Sequence, residues 1–495
     1  MENKNLFDQE NRKKERQKPM TLGGALLIFL IICTAIALQK VVIKGDMGAM
    51  FFMLWVFLIP VGIYFGHSSS EMEEAAIQFT AKAISPMLVL LAAGALIGTW
   101  ISSGTTPALI YYGLKFINPK IFLVVSMLLC TIVALFCGTS NGTVGTAGVA
   151  LVGIGNSMGI PIGITAGAVI CGAFFGDKMS PVSDTNILST SITGVNMFTH
   201  IRYMVFDQVP GYLISLLLFF FIGLQYQESI DNASTLALME GLQDQFQMGF
   251  FAFLPMLVTG ILLAMKQSSL LAILGGAVIG ILVSIFYQGM DPIAAINVFY
   301  SGYSIVTPNK DLATLLNRGG VADMWGLAGI TLFGFTVAGM LDYLDVLKKL
   351  AEAVSRKIHS ITGLAFITIL FGFIGNAVAL SQNFAIVMTG TLMNPIYPKY
   401  NLLPKNCSRD LQAGGTYGAM FIPWNSNTVF VCGALGVTVT EYLPYIPLLY
   451  LTPLVILVYT VIRFKVERIY PDVGYVDITG RLAKDPQKQK EILEI

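Results

Sequence analysis

Gly172-Ala173-Phe174-Phe175-Gly176-Asp177-Lys178-Met179-Ser180-Pro181-Val182-Ser183-Asp184-Thr185-Asn186 is the stretch whose reading decides the fold. Residues 160–175 before it carry no charge, and neither do residues 187–198 after it. Two carboxylates, a lysine, a proline and several hydroxyls therefore interrupt what would otherwise be one membrane span. Ionisable groups at that depth are costly and face a partner or a water-filled cavity, which marks a functional site. Proline removes a backbone donor and breaks the helix, freeing carbonyls that bind cations. The stretch reads as the heart of a transport site.

The rest of the chain agrees. Of its 495 residues 55% are hydrophobic and 12% charged, against roughly a quarter charged in soluble domains. With a strongly positive mean hydropathy, this predicts an all-α polytopic membrane protein. A net charge of +1 argues against nucleic acid as a partner. The six cysteines form no CxxC pair and the three histidines show no ligand spacing, so neither a disulfide framework nor a catalytic metal or other cofactor is expected.

Taken in order, residues 1–20 form a basic arm with no signal-peptide pattern, and positive charge places it in the cytoplasm. Apolar runs at 21–37, 48–65 and 87–101 follow, with an amphipathic interfacial helix at 71–83. The run at 121–136 leads to a small polar cluster, Cys137 to Thr146, and then to an uncharged run ending at Gly159. With flanks this short, the cluster reads as the tip of a re-entrant hairpin or as a broken span. After the opening stretch comes a span at 209–224, and residues 227–247 read as a connecting loop. Further runs lie at 249–265, 268–286, 324–341, 361–380 and 442–461, with polar interruptions at Ser381-Gln382-Asn383 and Pro423-Trp424-Asn425-Ser426-Asn427-Thr428. The tail, 464–495, is mixed in charge and predicted cytoplasmic.

The halves match. Gly172, Gly176 and Pro181 recur as Gly414, Gly418 and Pro423, each 242 residues on, as do Asn141 in Asn383 and Gly194-Val195 in Gly436-Val437. Ser183-Asp184-Thr185 finds Ser426-Asn427-Thr428 at 243, which leaves a local one-residue shift or a coincidence. Residues 21–226 and 248–463 are thus predicted to be two repeats, inverted if each crosses an odd number of times. In such transporters unwound segments of both halves meet near the midplane and hold the ion. Only the first half titrates, because Asp177 and Lys178 align with Ala419 and Met420, and Asp184 with Asn427.

A site exchanging a proton for a cation needs a carboxylate that either occupant neutralises. Asp184 between the Ser183 and Thr185 hydroxyls offers hard oxygens suited to Na+, with Asp177 as second candidate. Ser140 and Asn141, with Asn383, Ser426, Asn427 and Thr428 from the second half, are the remaining candidate oxygens. Na+ itself is placed at Asp184, Ser183 and Asn141. Lys178 and Arg318 are candidates for a gate or an anion contact. Plainer roles stand beside these. Asp177–Lys178 reads equally as an interfacial pair with a snorkelling lysine, Asp184 and Asn427 as helix N-caps, the 140–143 cluster as a turn, Arg318 as a surface turn and Asp342 as interfacial.

Gly176 to Thr185, followed by Phe198-Thr199-His200-Ile201, resembles the signature of the NhaC family of Na+/H+ antiporters. Gly98 to Pro107 with Leu109 to Gly113 resembles another stretch of that family. The resemblance implies Na+/H+ antiport in a bacterial cytoplasmic membrane, both termini cytoplasmic. It also implies a homodimer, each subunit with a scaffold domain and a sliding transport domain. The family includes malate–lactate antiporters, so a small organic acid is the alternative cargo. An amino-acid exchanger of the same fold is another alternative, as is, from a different class, a passive channel.

Overall fold

The computed structural model describes residues 18–470 apart from 40–42, 44, 117, 182, 227–231, 266, 308–311, 314–315, 356–357 and 359. Most of the predicted arm and tail lie outside the described residues. The described chain is helical, its β-pairing limited to two isolated bridges. Eight helices among the described residues are long and apolar enough to cross a membrane, or ten if two bent pairs each count as one span.

The first half runs α1 (Leu22–Leu38), α2 (Met47–Tyr64), α3 (Ser69–Thr80), α4 (Ile84–Ser102), α5 (Thr105–Phe116), α6 (Pro119–Cys137), α7 (Ser140–Thr143) and, after a π turn, α8 (Val149–Ser157). It continues with α9 (Ile162–Met179), α10 (Asp184–Thr193) and α11 (Met197–Leu224). A connecting helix α12 (Asn232–Gln245) leads to α13 (Leu254–Ala264), α14 (Ser269–Phe286), α15 (Pro292–Ser301), α16 (Val321–Tyr343), α17 (Val346–Ser355), α18 (Ile361–Ala379) and α19 (Gln382–Met393). Then α20 (Pro404–Leu411) passes through a π turn (Gln412–Thr416) and a 3-10 turn (Tyr417–Phe421) before α21 (Ser426–Leu435), α22 (Val439–Tyr442) and α23 (Pro447–Ile462).

Two expectations change. The connection predicted as loop is helical over Asn232–Gln245, since its Leu, Ala, Met, Glu and Gln content favours helix despite its polarity. The amphipathic segment at 71–83 is not separate. A capping box at Ser68 and Glu71 starts α3, which continues through Ala81–Ala83 into α4 and buries Met72, Ala76 and Phe79 against α16.

The offset read from sequence recurs in the helix limits. Pro119–Cys137 and Ile361–Ala379 begin and end 242 residues apart, and so do Asp184–Thr193 and Ser426–Leu435. Ile162–Met179 has the same spacing to the broken run that starts at Pro404 and stops at Phe421. The contacts recur as well. A Cβ on Gly172 would lie 2.9 Å from the Cβ of Cys130, and one on Gly414 would lie 2.8 Å from the Cα of Ile369 in α18. Glycine lets α9 and its counterpart approach α6 and α18 backbone to backbone, the way small residues pack helices in lipid.

Helix α11 shows the inside-out pattern that lipid imposes. Leu213, Leu217 and Phe221 follow a four-residue period and are 53%, 58% and 60% exposed, while His200, Asp207 and Gln208 are buried. Polar groups inside and hydrocarbon outside is the reverse of a soluble helix.

Candidate functional site

Each broken span meets the polar tip of the opposite half. α10 packs along α19, and α21 packs on α7 and the π turn after it. Asn141 Nδ2 donates to Asn427 Oδ1 at 2.8 Å, and Asn383 Nδ2 donates to Asp184 Oδ2 at 3.3 Å. The tip asparagines are 242 residues apart and their partners 243 apart. The helices keep one register while the site pairs in the other, because Asp184 opens α10 but Asn427 is the second residue of α21.

These groups face a cavity of about 600 Å³ between the two tips. Of the sequence-predicted residues, Asp184, Asn141, Asn383, Ser426 and Asn427 line it, joined by hydroxyls of Thr139, Ser268, Ser269 and Ser381. Asn141 Oδ1, Asn383 Oδ1 and Gln382 Oε1 are buried acceptors without a protein donor, and Asn427 Nδ2 lacks an acceptor. Acceptor oxygens left without a donor beside a polar cavity are what a hard cation requires.

Asp177 lies beneath, 1% exposed, and its Oδ2 accepts the Ser140 backbone N–H at 3.2 Å. The Ser140 and Ser183 side chains stand beside it, Asp184 is within electrostatic range, and Oδ1 has no hydrogen-bond donor. Ser183 and Thr185 are buried and bonded to each other at 3.0 Å, and Thr428 donates to Ala419 O at 2.6 Å. Of these, Ser140 and Ser183 back the site through Asp177, while Thr428 ties α21 to the turn before it.

The plainer roles divide. Asp177 and Lys178 are 1% and 0% exposed, so they are not an interfacial pair. Lys178 Nζ donates to Gln412 O at 2.6 Å and sits 3.4 Å from the Tyr417 ring centroid, away from the cavity lining. The cap positions fall to Ser183 and Asn425, one residue before Asp184 and two before Asn427. Asp184 Oδ1 instead accepts the N–H of Thr185 at 2.9 Å. Arg318 also misses the cavity. Its Nη2 donates to Ala434 O at 3.1 Å and closes the C-terminus of α21, where cation and helix dipole attract. Asp342 is exposed at the end of α16, as an interfacial group would be.

Sequence reasoning missed the braces that hold the breaks open. Asn186 Nδ2 donates to Lys178 O and Ser180 O at 2.9 Å each, and Gln412 Nε2 donates to Asn186 Oδ1 and Ser189 Oγ at 3.0 Å each. In the second half Asn376 Nδ2 donates to Gly415 O at 2.7 Å, and Asn425 Nδ2 donates to Asn376 Oδ1 at 2.9 Å. These satisfy backbone groups that water cannot reach. Missed too were the buried pair Arg409–Asp410 and Asp207, and Lys82 on the cavity wall. The offset itself held a signal, since it places Arg409 and Asp410 opposite Gly167 and Ala168 inside α9.

A polytopic helical membrane protein whose two broken spans and two polar segments face one cavity lined by amides, hydroxyls and a single carboxylate, Asp184, has the architecture of a transporter. Comparison with known proteins places it further. The Na+/H+ antiporter family matches residues 15–207 and 172–463. The malate-2H+/Na+-lactate antiporter of Bacillus subtilis is 36% identical over 80% of this chain and 84% of its own. The Na+/H+ antiporter NhaC of Alkalihalophilus pseudofirmus is 34% identical over 88% of this chain and 95% of its own. Among solved structures, the YdaH transporter of Alcanivorax borkumensis is similar at a TM-score of 0.44 and 14% identity, over 85% of this chain and 99% of that one. The chain belongs to the Na+/H+ antiporter family.

Proposed function

We propose that the protein exchanges Na+ for H+ by alternating access, with Asp184 as the carboxylate for which the two ions compete. The observation that carries this reading is the Asn383–Asp184 contact at a cavity beside which the Asn141 and Asn383 oxygens are left without a donor. Na+ would take oxygens from Asp184, Asn141 and Asn383, with Asp177 and its serines behind. A proton on Asp184 removes the charge that holds the cation, so one occupant excludes the other. The recurring helix limits support two inverted repeats with re-entrant tips, moving as a transport domain against a scaffold. The expected setting is a homodimer in a bacterial cell membrane, termini cytoplasmic, with no cofactor beyond the transported ions.

A second reading has its own observation. The cavity far exceeds a bare Na+, and Lys82 on its wall lies 4.1 Å from the Phe79 ring centroid and 5.5 Å from that of Phe384. An ammonium beside aromatic faces would receive the carboxylate of a small organic acid. Arg318 and Lys178, given that role by sequence, are turned elsewhere. Proteoliposomes holding a preset pH gradient separate the readings. Dissipation by Na+ alone supports cation/proton antiport. Dissipation only when malate or lactate accompanies Na+ replaces it with coupled organic-acid exchange, and unsaturable flux without coupling sinks both.

A further inference from the structure

Asp184 and Asn383, which meet at the cavity, stand on helices spaced by a third piece of chain. Asp184 opens α10, Asn383 lies in the first turn of α19, and the π turn Gln412–Thr416 packs against both helices. Single π turns of this kind recur at functional sites. Toward α19 the turn has no slack, because a Cβ on Gly415 would lie 2.5 Å from Ile386 Cγ1. From α18, Asn376 Nδ2 donates to Gly415 O at 2.7 Å. Toward α10 the turn reaches through the side chain of Gln412.

That amide is fully buried and bonded at both ends. Its Nε2 donates to Asn186 Oδ1 and Ser189 Oγ at 3.0 Å each, and its Oε1 accepts the Thr416 hydroxyl at 2.5 Å. The Gln412 carbonyl accepts Lys178 Nζ at 2.6 Å, and Asn186 Nδ2 returns to Lys178 O at 2.9 Å. Lys178, Gln412 and Asn186 thus close a ring of hydrogen bonds that joins the end of α9, the start of α10 and the π turn. Asn186 and Ser189 follow Asp184 on the same helix, so the ring fixes the turns that Asp184 begins. At the other end of α10, Asn394 Nδ2 donates to Ile192 O at 3.2 Å and ties that helix to the end of α19. Ile170 stands 242 residues before Gln412, so the neutral pairing of Asn141 with Asn427 has no amide at the matching place.

We propose that Gln412 is a positioning residue that sets the gap between Asp184 and Asn383, bridged here at 3.3 Å, and with it the size of cation the pair accepts. Choice among hard cations rests on cavity size, ligand number and rigidity. A frame held to within about 0.5 Å favours the ion that fits it and rejects the larger K+, whose ligands stand further apart. Without the two Gln412 donors α10 shifts on α19, the gap adjusts to either ion and discrimination falls. Lys178 acts here as a buttress on the Gln412 carbonyl. This rests on the antiport reading and adds to it the origin of ion choice.

The test is equilibrium binding of radiolabelled Na+ to the purified full-length protein, displaced by unlabelled Na+ and, separately, by K+. Gln412→Met keeps the bulk of the side chain and removes the donors to Asn186 and Ser189. The ratio of half-displacing K+ to half-displacing Na+ should fall about fivefold or more from its native value, the weight of two lost hydrogen bonds. Ser189→Ala removes one of the two and should lower the ratio about twofold. A native ratio in folded Gln412→Met overturns the proposal. Weaker binding of both ions at an unchanged ratio assigns Gln412 to architecture alone and overturns it too. If Gln412→Met does not elute as folded protein, Ser189→Ala decides, and a native ratio there, or failure of both variants to fold, overturns the proposal. Absence of Na+ binding by the native protein overturns the antiport reading, and this proposal with it.

Discussion

The two broken spans solve one backbone problem with different chemistry. In the first, Asp177, Lys178 and Asp184 put charge at the break, and the interruption is braced by Asn186 reaching back to Lys178 O and Ser180 O. In the second, Ala419, Met420 and Asn427 stand at the matching places, and the brace is the neutral pair Asn376–Asn425. Each tip asparagine finds its partner across the halves, but only the Asn383 pairing ends on a carboxylate. Helices whose limits recur at one offset frame the pocket, and of the two asparagine pairings on it only one ends on a group able to change charge.

The most damaging way to probe this difference is to erase it. Asp184→Asn should lower Na+-driven proton movement in proteoliposomes by about a hundredfold or more, the cost of a lost charged contact to a desolvated cation, while the protein elutes as folded. Native exchange by that variant would end the assignment. Moving the charge across is sharper still. Asn427→Asp added to Asp184→Asn should restore measurable exchange, because Asn141 already holds that position, and a double variant as dead as the single one would show that the halves are not interchangeable.

Smaller effects compare the tips. Asn383→Ala removes a hydrogen bond to a carboxylate and should weaken apparent Na+ affinity about tenfold, whereas Asn141→Ala removes a neutral one and should cost about fivefold. Equal losses would mean that the charge on Asp184 is not what separates the halves. The smallest effect is expected at Arg318→Ala. Loss of the C-terminal contact to α21 should lower stability by about 1 kcal/mol, read as a shift in thermal unfolding, with little change in Na+ affinity. A large affinity loss without a stability change would return Arg318 to the role of a gate.

Much of this was legible beforehand for physical reasons. Lipid tolerates few charges, so Asp177 and Asp184 in an apolar run announced a site, and the glycines spaced 242 apart announced the recurring contact of α9 with α6 and of the π turn after α20 with α18. Asn141 and Asn383 were found because they lie in polar interruptions of otherwise uncharged runs at the common offset. The reading failed where position in a run was ambiguous. Asp207 sits two residues before the predicted start of its span and drew no reading, though α11 carries it to 1% exposure. Arg409 and Asp410 lie in a polar octapeptide that looks like a loop and is a buried helix. Lys82 lay in the helix read at 71–83 as interfacial, whose join to α4 no local signal marks.

The sequence by itself determined that the chain lives in lipid, which residues break its spans, and the 242-residue offset that the helix limits repeat. Those properties follow from composition, period and the backbone chemistry of proline and glycine, all local along the chain. Only the tertiary structure decided the pairings: Asn383 with Asp184, Asn141 with Asn427, Lys178 over Tyr417 and Arg318 on the end of α21. Each joins residues more than a hundred positions apart, and in lipid such partners are chosen by which buried polar group lacks another, a condition that exists only once the helices have packed.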